Sequence, residues 1–173
     1  MTIWVVGDWH LGHDKSLTWL DSDGNRCRPF DSIELYHETL IKNHNQLVRP
    51  EDRVYVLGDA VIKKYALSLV REFNGKKTLI AGNHDIFDTK EYLSAGFKNV
   101  RGVRVLTEHS VILSHIPLHP DSLYNNHCGQ MTNYHGHLHG ERVINTGRED
   151  YDFRYKCVSV EQTDYSPCCL FRD

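Results

Sequence analysis

Five segments of the chain end in side chains that bind metal ions. Ile3-Trp4-Val5-Val6-Gly7 runs into Asp8-Trp9-His10, and Val54-Tyr55-Val56-Leu57-Gly58 runs into Asp59. Thr78-Leu79-Ile80-Ala81-Gly82 runs into Asn83-His84-Asp85, Val111-Ile112-Leu113-Ser114 runs into His115, and a weaker apolar lead precedes Gly136-His137-Leu138-His139. Asp, His and Asn without a thiolate form a hard-to-borderline donor set that suits Mn, Fe, Zn or Ni rather than a cysteine-type structural zinc. The set is large enough for two ions, and paired ions are a device of phosphoester hydrolysis.

Ligands so far apart in sequence must be gathered by the elements that carry them. Short Val- and Ile-rich runs closed by Gly read as buried strands, and ligands at strand ends converge on one edge of a sheet. The i, i+2 spacing of Asp8/His10 and of His137/His139 directs both side chains of each pair to one face if the segment is extended. Asp31 is placed to cap a helix over residues 32–48, with Glu34 at its third position, and Pro50 stops it. A second helix is expected over about 63–73, closed by Asn74-Gly75. A short third one starts at Asp88 and Glu91 and ends at Gly96. Strands are expected over 2–7, 53–57 and 77–81, then a hairpin of 103–107 with 110–115, then 132–136, 142–145 and 156–161. Residues 11–30, 116–134 and 146–155 read as loops that flank the ligands. The first half is thus β-α-β-α-β and the second mostly β, which implies helices outside a sheet core.

The chain has 12 His in 173 residues. His37 and His44 fall in the helical pattern, His109 falls in a turn, and these three with His119 and His127 carry no motif. A length of 173 residues fits one domain over 1–173, without room for a large cap. A formal charge of −3 gives no global bias toward nucleic acid or acidic membranes and leaves room for a local basic patch. No apolar run reaches transmembrane length, and the N-terminus lacks a signal-type pattern. Five Cys without Cys-x-x-Cys spacing argue against a disulfide framework and for a cytoplasmic protein with reduced thiols.

The series Asp8-x-His10, Gly58-Asp59, Gly82-Asn83-His84-Asp85, His115 and Gly136-His137-x-His139 resembles the calcineurin-like metallophosphoesterases, over residues 3 to about 147. Asp8-Trp9-His10-Leu11-Gly12-His13, Arg28-Pro29-Phe30, Asn43-His44-Asn45 and Asn145-Thr146-Gly147 are similar to stretches of its small bacterial and phage members. The resemblance implies a four-layer αββα sandwich with two mixed sheets and a dinuclear metal site at the strand C-terminal edge. It implies Asp59 as the bridge between two divalent ions, Mn foremost, with Fe, Zn, Ni or Mg as alternatives. Asp8, His10 and His139 would complete one ion's ligands, and Asn83, His115 and His137 the other's. A hydroxide between the ions would attack phosphorus, His84 would assist the leaving group, and Asp85 would hold the His84 ring. His13, Arg28, Asn145 and Arg148 are candidates to grip substrate, although a solvated surface position is the more ordinary account of the two Arg. The expected activity is phosphoester hydrolysis, phosphodiesters ahead of monoesters, on a substrate such as a nucleotide or short nucleic acid. The alternatives are a phosphomonoesterase or phosphoprotein phosphatase, and a metal-binding interaction module with weak or no turnover.

Overall fold

Alternate residues of the first strand are buried on opposite faces, so its sheet must be covered on both sides. The computed structural model describes residues 1–145 and 150–172. The elements of the first half are β1 (Thr2–Val6), α1 (Ile33–Leu47), β2 (Arg53–Val56), β3 (Lys76–Ile80), α2 (Thr89–Ala95) and β4 (Asn99–Arg101). Those of the second half begin with β5 (Val103–Leu106), β6 (Val111–Ser114) and a ribbon of β7 (Tyr124–Asn125) with β8 (Gly129–Gln130). They continue with β9 (Thr132–His135), a ribbon of β10 (Ile144–Asn145) with β11 (Asp150–Tyr151), β12 (Tyr155–Cys157) and β13 (Cys168–Arg172). One sheet has the order β13-β1-β2-β3-β4, parallel from β1 to β4, with β13 antiparallel to β1. The other has the order β12-β9-β6-β5, parallel from β12 to β6, with β5 antiparallel.

Ile3, Val5, Tyr55, Leu57 and Ile80 on one face of the first sheet share a core with Leu106, Val111 and Leu113 of the second. Trp4, Val6, Val54, Val56 and Leu79 on the opposite face pack with Tyr36 and Leu40 of α1 and Tyr92 of α2. This is the expected sandwich of two mixed sheets. Its fourth layer is thin. Ile112 and Tyr155 on the outer face of the second sheet pack against Leu123, which ends the 3-10 turn Pro120–Leu123, and Met131, which lies between β8 and β9.

Several local expectations are corrected. Residues 64–72 wind as a 3-10 helix, not an α-helix, and no side chain caps its start at Lys63. A 3-10 helix rises about 2.0 Å per residue against about 1.5 Å for an α-helix. The same nine residues therefore reach further on the way back from the end of β2 to the start of β3. Ser32, not Asp31, caps α1: its hydroxyl accepts from the Leu35 N–H at 3.1 Å. The Asp88–Glu91 capping box of α2 forms as read. The strand expected over 156–161 ends at Cys157 and gives way to a 3-10 turn at Val160–Gln162, while 142–145 contributes only Ile144–Asn145. The stretch 116–134, read as loop, carries the β7–β8 ribbon, while the strand expected over 132–136 forms as β9.

Helix α1 anchors the segment that leaves β1. The Tyr36 hydroxyl donates to the Trp9 carbonyl at 2.9 Å, and the Gly12 N–H donates to His37 Nε2 at 3.0 Å. Trp9 is buried, stacked on Phe73 at 4.2 Å between ring centres and meeting the edge of His44 at 5.9 Å. Tyr36→Phe would leave the Trp9 carbonyl without this donor in a dry environment, at a cost of about 1–3 kcal/mol. A urea-unfolding midpoint lowered accordingly is the expected outcome, and an unchanged midpoint would show that the anchor does not hold the segment.

Candidate metal centre

Strands β1, β2 and β3 are parallel, as are β6 and β9. The residues that follow their C-terminal ends therefore lie along one edge of the sandwich, which is where ligands bind in parallel sheets. Cross-links close that edge: Gly7 N–H donates to the Val158 carbonyl at 2.8 Å, Asp8 N–H to Gly58 at 3.1 Å and His10 N–H to Asp59 at 2.8 Å. Asp8, His10, Asp59, His137 and His139 all have positive φ, between 48° and 69°. The expected reason for the i, i+2 pairing is thereby corrected: these segments are not extended, and left-handed bends aim the side chains inward. Each such residue costs about 1–3 kcal/mol, tolerated where the surroundings enforce it. Two glycines make the room. A Cβ on Gly58 would collide with the His115 ring, and one on Gly136 with the Asp8 carboxylate and, at 2.8 Å, the Leu57 carbonyl.

The inward side chains form two adjoining groups. In the first, His10 Nε2 lies 3.9 Å from Asp8 Oδ1, and the His139 ring centre is 5.1 Å from that of His10. In the second, His115 Nε2 lies 3.0 Å from Asn83 Oδ1 and 3.2 Å from His137 Nδ1. Asp59 Oδ2 stands between them, 3.6 Å from His10 Nε2 and 3.6 Å from His115 Nε2. Ligand atoms of Asp8, His10 and His139, and of Asp8, Asp59 and His115, lie within 4.8 Å of one another. His10 is 1% exposed, and its Nε2 has no hydrogen-bond partner. Burial, followed by the charge of Arg28, drives the His10 imidazole far down, so the ring is neutral with a free lone pair. His115 Nδ1 faces the Leu57 carbonyl at 2.9 Å, so its proton belongs there and its Nε2 also presents a lone pair to the group. An orphaned buried nitrogen and converging acceptor atoms are what a divalent cation satisfies, so the donor set fits the metal ions.

Behind these groups lies a layer that the sequence does not announce. Arg28 is fully buried, not a surface residue and not a substrate grip. Its Nε reaches Glu161 Oε1 at 2.7 Å, Nη1 the Ser16 hydroxyl at 3.1 Å and Nη2 the Asp8 carbonyl at 2.8 Å. The guanidinium also packs against the Trp19 and Tyr36 rings. Its donors are consumed by the protein, which is why it cannot serve a phosphate. Glu161 Oε1 also accepts a hydrogen bond from His139 Nδ1 at 3.0 Å. Burial alone would lower His139, but the hydrogen bond and charge of Glu161 outweigh it and raise its pKa. The Ser159 hydroxyl donates to Asp8 Oδ2 at 2.7 Å, and the His137 N–H reaches both Asp8 oxygens at 3.0 and 3.1 Å. Glu161 and Ser159 were not singled out from sequence. No sequence motif marks either residue, and the need of a buried Arg for a carboxylate partner becomes a signal only once the fold shows Arg28 buried.

Asp85 is also corrected. It makes no hydrogen bond to the His84 ring among the described contacts. Its Oδ2 accepts from the Asp59 and Gly82 N–H groups at 2.8 Å each, and its Oδ1 accepts from Ala60 at 3.0 Å and the Tyr92 hydroxyl at 3.4 Å. With both oxygens saturated, Asp85 positions the Asp59 and Gly82 loops and has no capacity left for an imidazole. His84 is exposed at the rim, its N–H held by Asp59 Oδ1 at 2.9 Å and its ring centre 5.9 Å from that of His10. His13 stands beside it, Nδ1 to Nδ1 with His10 at 3.2 Å. Trp19, missed from sequence, meets the His10, His13 and His139 rings edge-on at 5.0–5.3 Å. Asn145 sits in the β10–β11 ribbon, and Arg148 lies outside the described residues with Thr146 and Gly147. A cleft of about 340 Å³ opens beside the second group, lined by Asn83 and His115 with Val103, Ile116 and Leu118.

A family model described as calcineurin-like phosphoesterase matches residues 1–161. An uncharacterized protein of Methanocaldococcus jannaschii is 32% identical over 97% of this chain and 86% of its own. The gene 66 protein of Mycobacterium phage L5 is 30% identical over 47% of this chain and 39% of its own. Among solved structures, a protein of unknown function from Aquifex aeolicus superposes with a TM-score of 0.66 at 24% identity, covering 97% of this chain and 95% of that one. A phosphopantetheinyl hydrolase from Mycobacterium tuberculosis superposes with a TM-score of 0.50 at 15% identity over 99% and 96% of the two chains, a likeness of fold.

Two outcomes are expected. If Asp59 bridges two cations, Asp59→Asn should lower metal content at both groups, because it removes the negative charge that would separate them, whereas Asn83→Ala should deplete mainly the second. Metal counting on purified variants checks this, and two tightly held ions in Asp59→Asn would require another bridge. The second concerns pH. Burial raises the metal-free Asp8 carboxyl to about 6. A carboxyl raised above its unfolded value stabilises the fold while protonated and loses that contribution as pH rises through about 6. A cation needs the carboxylate form and binds more strongly as pH rises. The rise in thermal midpoint on adding Mn²⁺ should thus be larger near pH 7.5 than near pH 5, and the reverse order would remove Asp8 from the ligand set.

Proposed function

Since this chain belongs to the calcineurin-like phosphoesterase family, we propose that it is a dinuclear metal-dependent phosphoesterase, one domain throughout, that prefers phosphodiesters to monoesters. The observation that carries the dinuclear reading is Asp59 Oδ2, equally distant at 3.6 Å from a nitrogen of each ligand group. Asp8, His10 and His139 would hold one ion, Asn83, His115 and His137 the other, with Asp59 shared. Manganese suits this mixed nitrogen and oxygen set better than Mg²⁺, which prefers oxygen ligands and keeps its waters. The ions, when bound, supply Lewis acidity toward a phosphoryl oxygen and a nucleophilic water at neutral pH.

The remaining tasks fall to side chains. His84, held at the rim through its own N–H, donates a proton to the leaving oxygen. Asp85 acts at one remove, since it fixes the Asp59 and Gly82 backbone. His13, partly exposed beside His10, would bind a non-reacting phosphate oxygen. Trp19 flanks the first group, and Val103, Ile116 and Leu118 flank the second. Apolar surface thus lies on both sides of the reacting position, which accommodates a phosphate substituted twice and supports a diester. A cytoplasmic setting fits the five unpaired cysteines, and no helix among the described residues is long and apolar enough to cross a membrane.

The test uses bis-(p-nitrophenyl) phosphate and p-nitrophenyl phosphate. Turnover of the diester should exceed that of the monoester, disappear on chelation and return with Mn²⁺ at least as well as with Mg²⁺. Faster monoester turnover would select the phosphomonoesterase alternative, and metal binding without turnover the interaction module. His84→Ala should retain its metal content and lose more activity on diesters with poor leaving groups than on the activated nitrophenyl ester. Equal losses on both would take His84 out of the acid role.

A further inference from the structure

The sandwich carries a cationic groove that the ligand groups do not use. Arg53 of β2, Lys76 of β3, Lys98, Arg101 of β4 and Arg104 of β5 line a cleft of about 330 Å³, and no Asp or Glu lines it. All five are exposed. The alternation of the strands explains the convergence. Arg53 and Lys76 fall on the same face of the first sheet as Tyr55 and Ile80, and Arg104 on the same face of the second as Leu106, all three of these apolar residues lying in the core between the sheets. Gly102 links β4 in one sheet to β5 in the other, so the groove occupies the corner where the chain passes between sheets.

Basic residues on edge strands often serve to prevent edge-to-edge pairing. That accounts for Arg101 and Arg104, whose strands β4 and β5 are sheet edges. It does not account for Arg53 and Lys76, whose strands lie inside the first sheet. Their like charges are gathered in one groove, with no lining carboxylate to relieve the repulsion, in a chain whose formal charge is −3. The groove also leads somewhere. Lys76 opens β3, and Ile80, four residues on, pairs with Arg101, a run of roughly 13 Å at about 3.3 Å per residue. Gly102 and Val103, between Arg101 and Arg104 in the chain, line the cleft that contains Asn83 and His115.

We infer that this groove binds the phosphodiester backbone of a single-stranded nucleic acid and leads it to the metal edge. A strand carries a negative charge at every nucleotide and meets a line of cations with several phosphates at once. A corner cleft of this size admits one backbone, not a duplex. The inference deepens the phosphodiesterase reading by naming its substrate class, and it rests on that reading for the final step alone.

The experiment measures binding of a 5′-fluorescein-labelled oligo-dT of 12 nucleotides to the protein as purified. Anisotropy is read on ice over a range of salt concentrations, and the probe is checked on a gel for integrity. Binding should weaken steeply with salt, by roughly 0.7 in log–log slope for each phosphate contact. Arg53→Ala/Lys76→Ala/Arg101→Ala/Arg104→Ala should bind at least tenfold more weakly with a shallower slope. Arg101→Lys/Arg104→Lys, which keeps the charge, should bind nearly as wild type does. Thermal unfolding of each variant identifies any loss due to misfolding, and in that case the separate Arg53→Ala/Lys76→Ala and Arg101→Ala/Arg104→Ala pairs decide, each expected to weaken binding. Undiminished binding by the quadruple variant would overturn the inference. So would a preference for the duplex, or binding to phosphatidylserine vesicles in place of the oligonucleotide. Bis-(p-nitrophenyl) phosphate hydrolysis by the wild type is read separately. Hydrolysis without oligonucleotide binding defeats the groove and leaves the phosphoesterase reading, whereas salt-sensitive, variant-sensitive binding without hydrolysis supports the groove and defeats that reading.

Discussion

Asp8 and Asp59 are carboxylates buried to 0% and 2% exposure at the edge where the two sheets meet. An ionised carboxylate removed from water is costly unless it is hydrogen-bonded and faced by a cation. Much of the surrounding structure meets the first of these conditions. Asp8 takes the Ser159 hydroxyl and the His137 N–H, and Asp59 takes the His84 N–H. Arg28 meets the second condition only remotely, since its guanidinium touches the Asp8 carbonyl and not its carboxylate. Asp59 Oδ2 is thus left facing His10 Nε2, a buried nitrogen without a hydrogen-bond partner, an arrangement that a cation placed between them would stabilise.

Holding those two carboxylates requires backbone that the residues do not favour. Five inward side chains sit at positive φ, and the strain is carried by neighbours made rigid in other ways. Trp9 is packed under Phe73 and His44, α1 grips the segment through Tyr36 and His37, and Asp85 ties Asp59 to Gly82. Arg28, Glu161 and His139 form a chain of charge-assisted contacts that crosses from the first loop to the last turns of the fold. Such a chain fixes ring orientation and tautomer, which a ligand nitrogen needs before an ion arrives.

Charge is distributed unevenly over the same scaffold. The acidic side chains Asp8 and Asp59 are drawn inward and hydrogen-bonded, while the corner between β4 and β5 exposes five cations. A formal charge of −3 conceals that separation. Strand alternation produces it, because residues two apart on β2, β3 and β4 share a face.

The sequence by itself determined which strands end in metal-binding types of side chain. An apolar run closed by Gly and followed by Asp, Asn or His is a local pattern, and parallel strands bring their ends to one edge whatever the intervening distance. The hairpin of β5 and β6 and the capping box of α2 were legible for the same reason, since short-range chemistry dictates them. Only the tertiary structure decided the rest. Arg28 carries no local sign of burial, because its partner Glu161 lies 133 residues away. Asp85 follows His84 directly, yet the backbone of a neighbouring loop claims its oxygens. The left-handed bends at Asp8 and His10 are tied by hydrogen bonds to Gly58 and Asp59, in the segment that follows β2. Side-chain type and spacing reveal which groups can act, but orientation, burial and partnership are long-range properties that exist only when the two sheets are packed together.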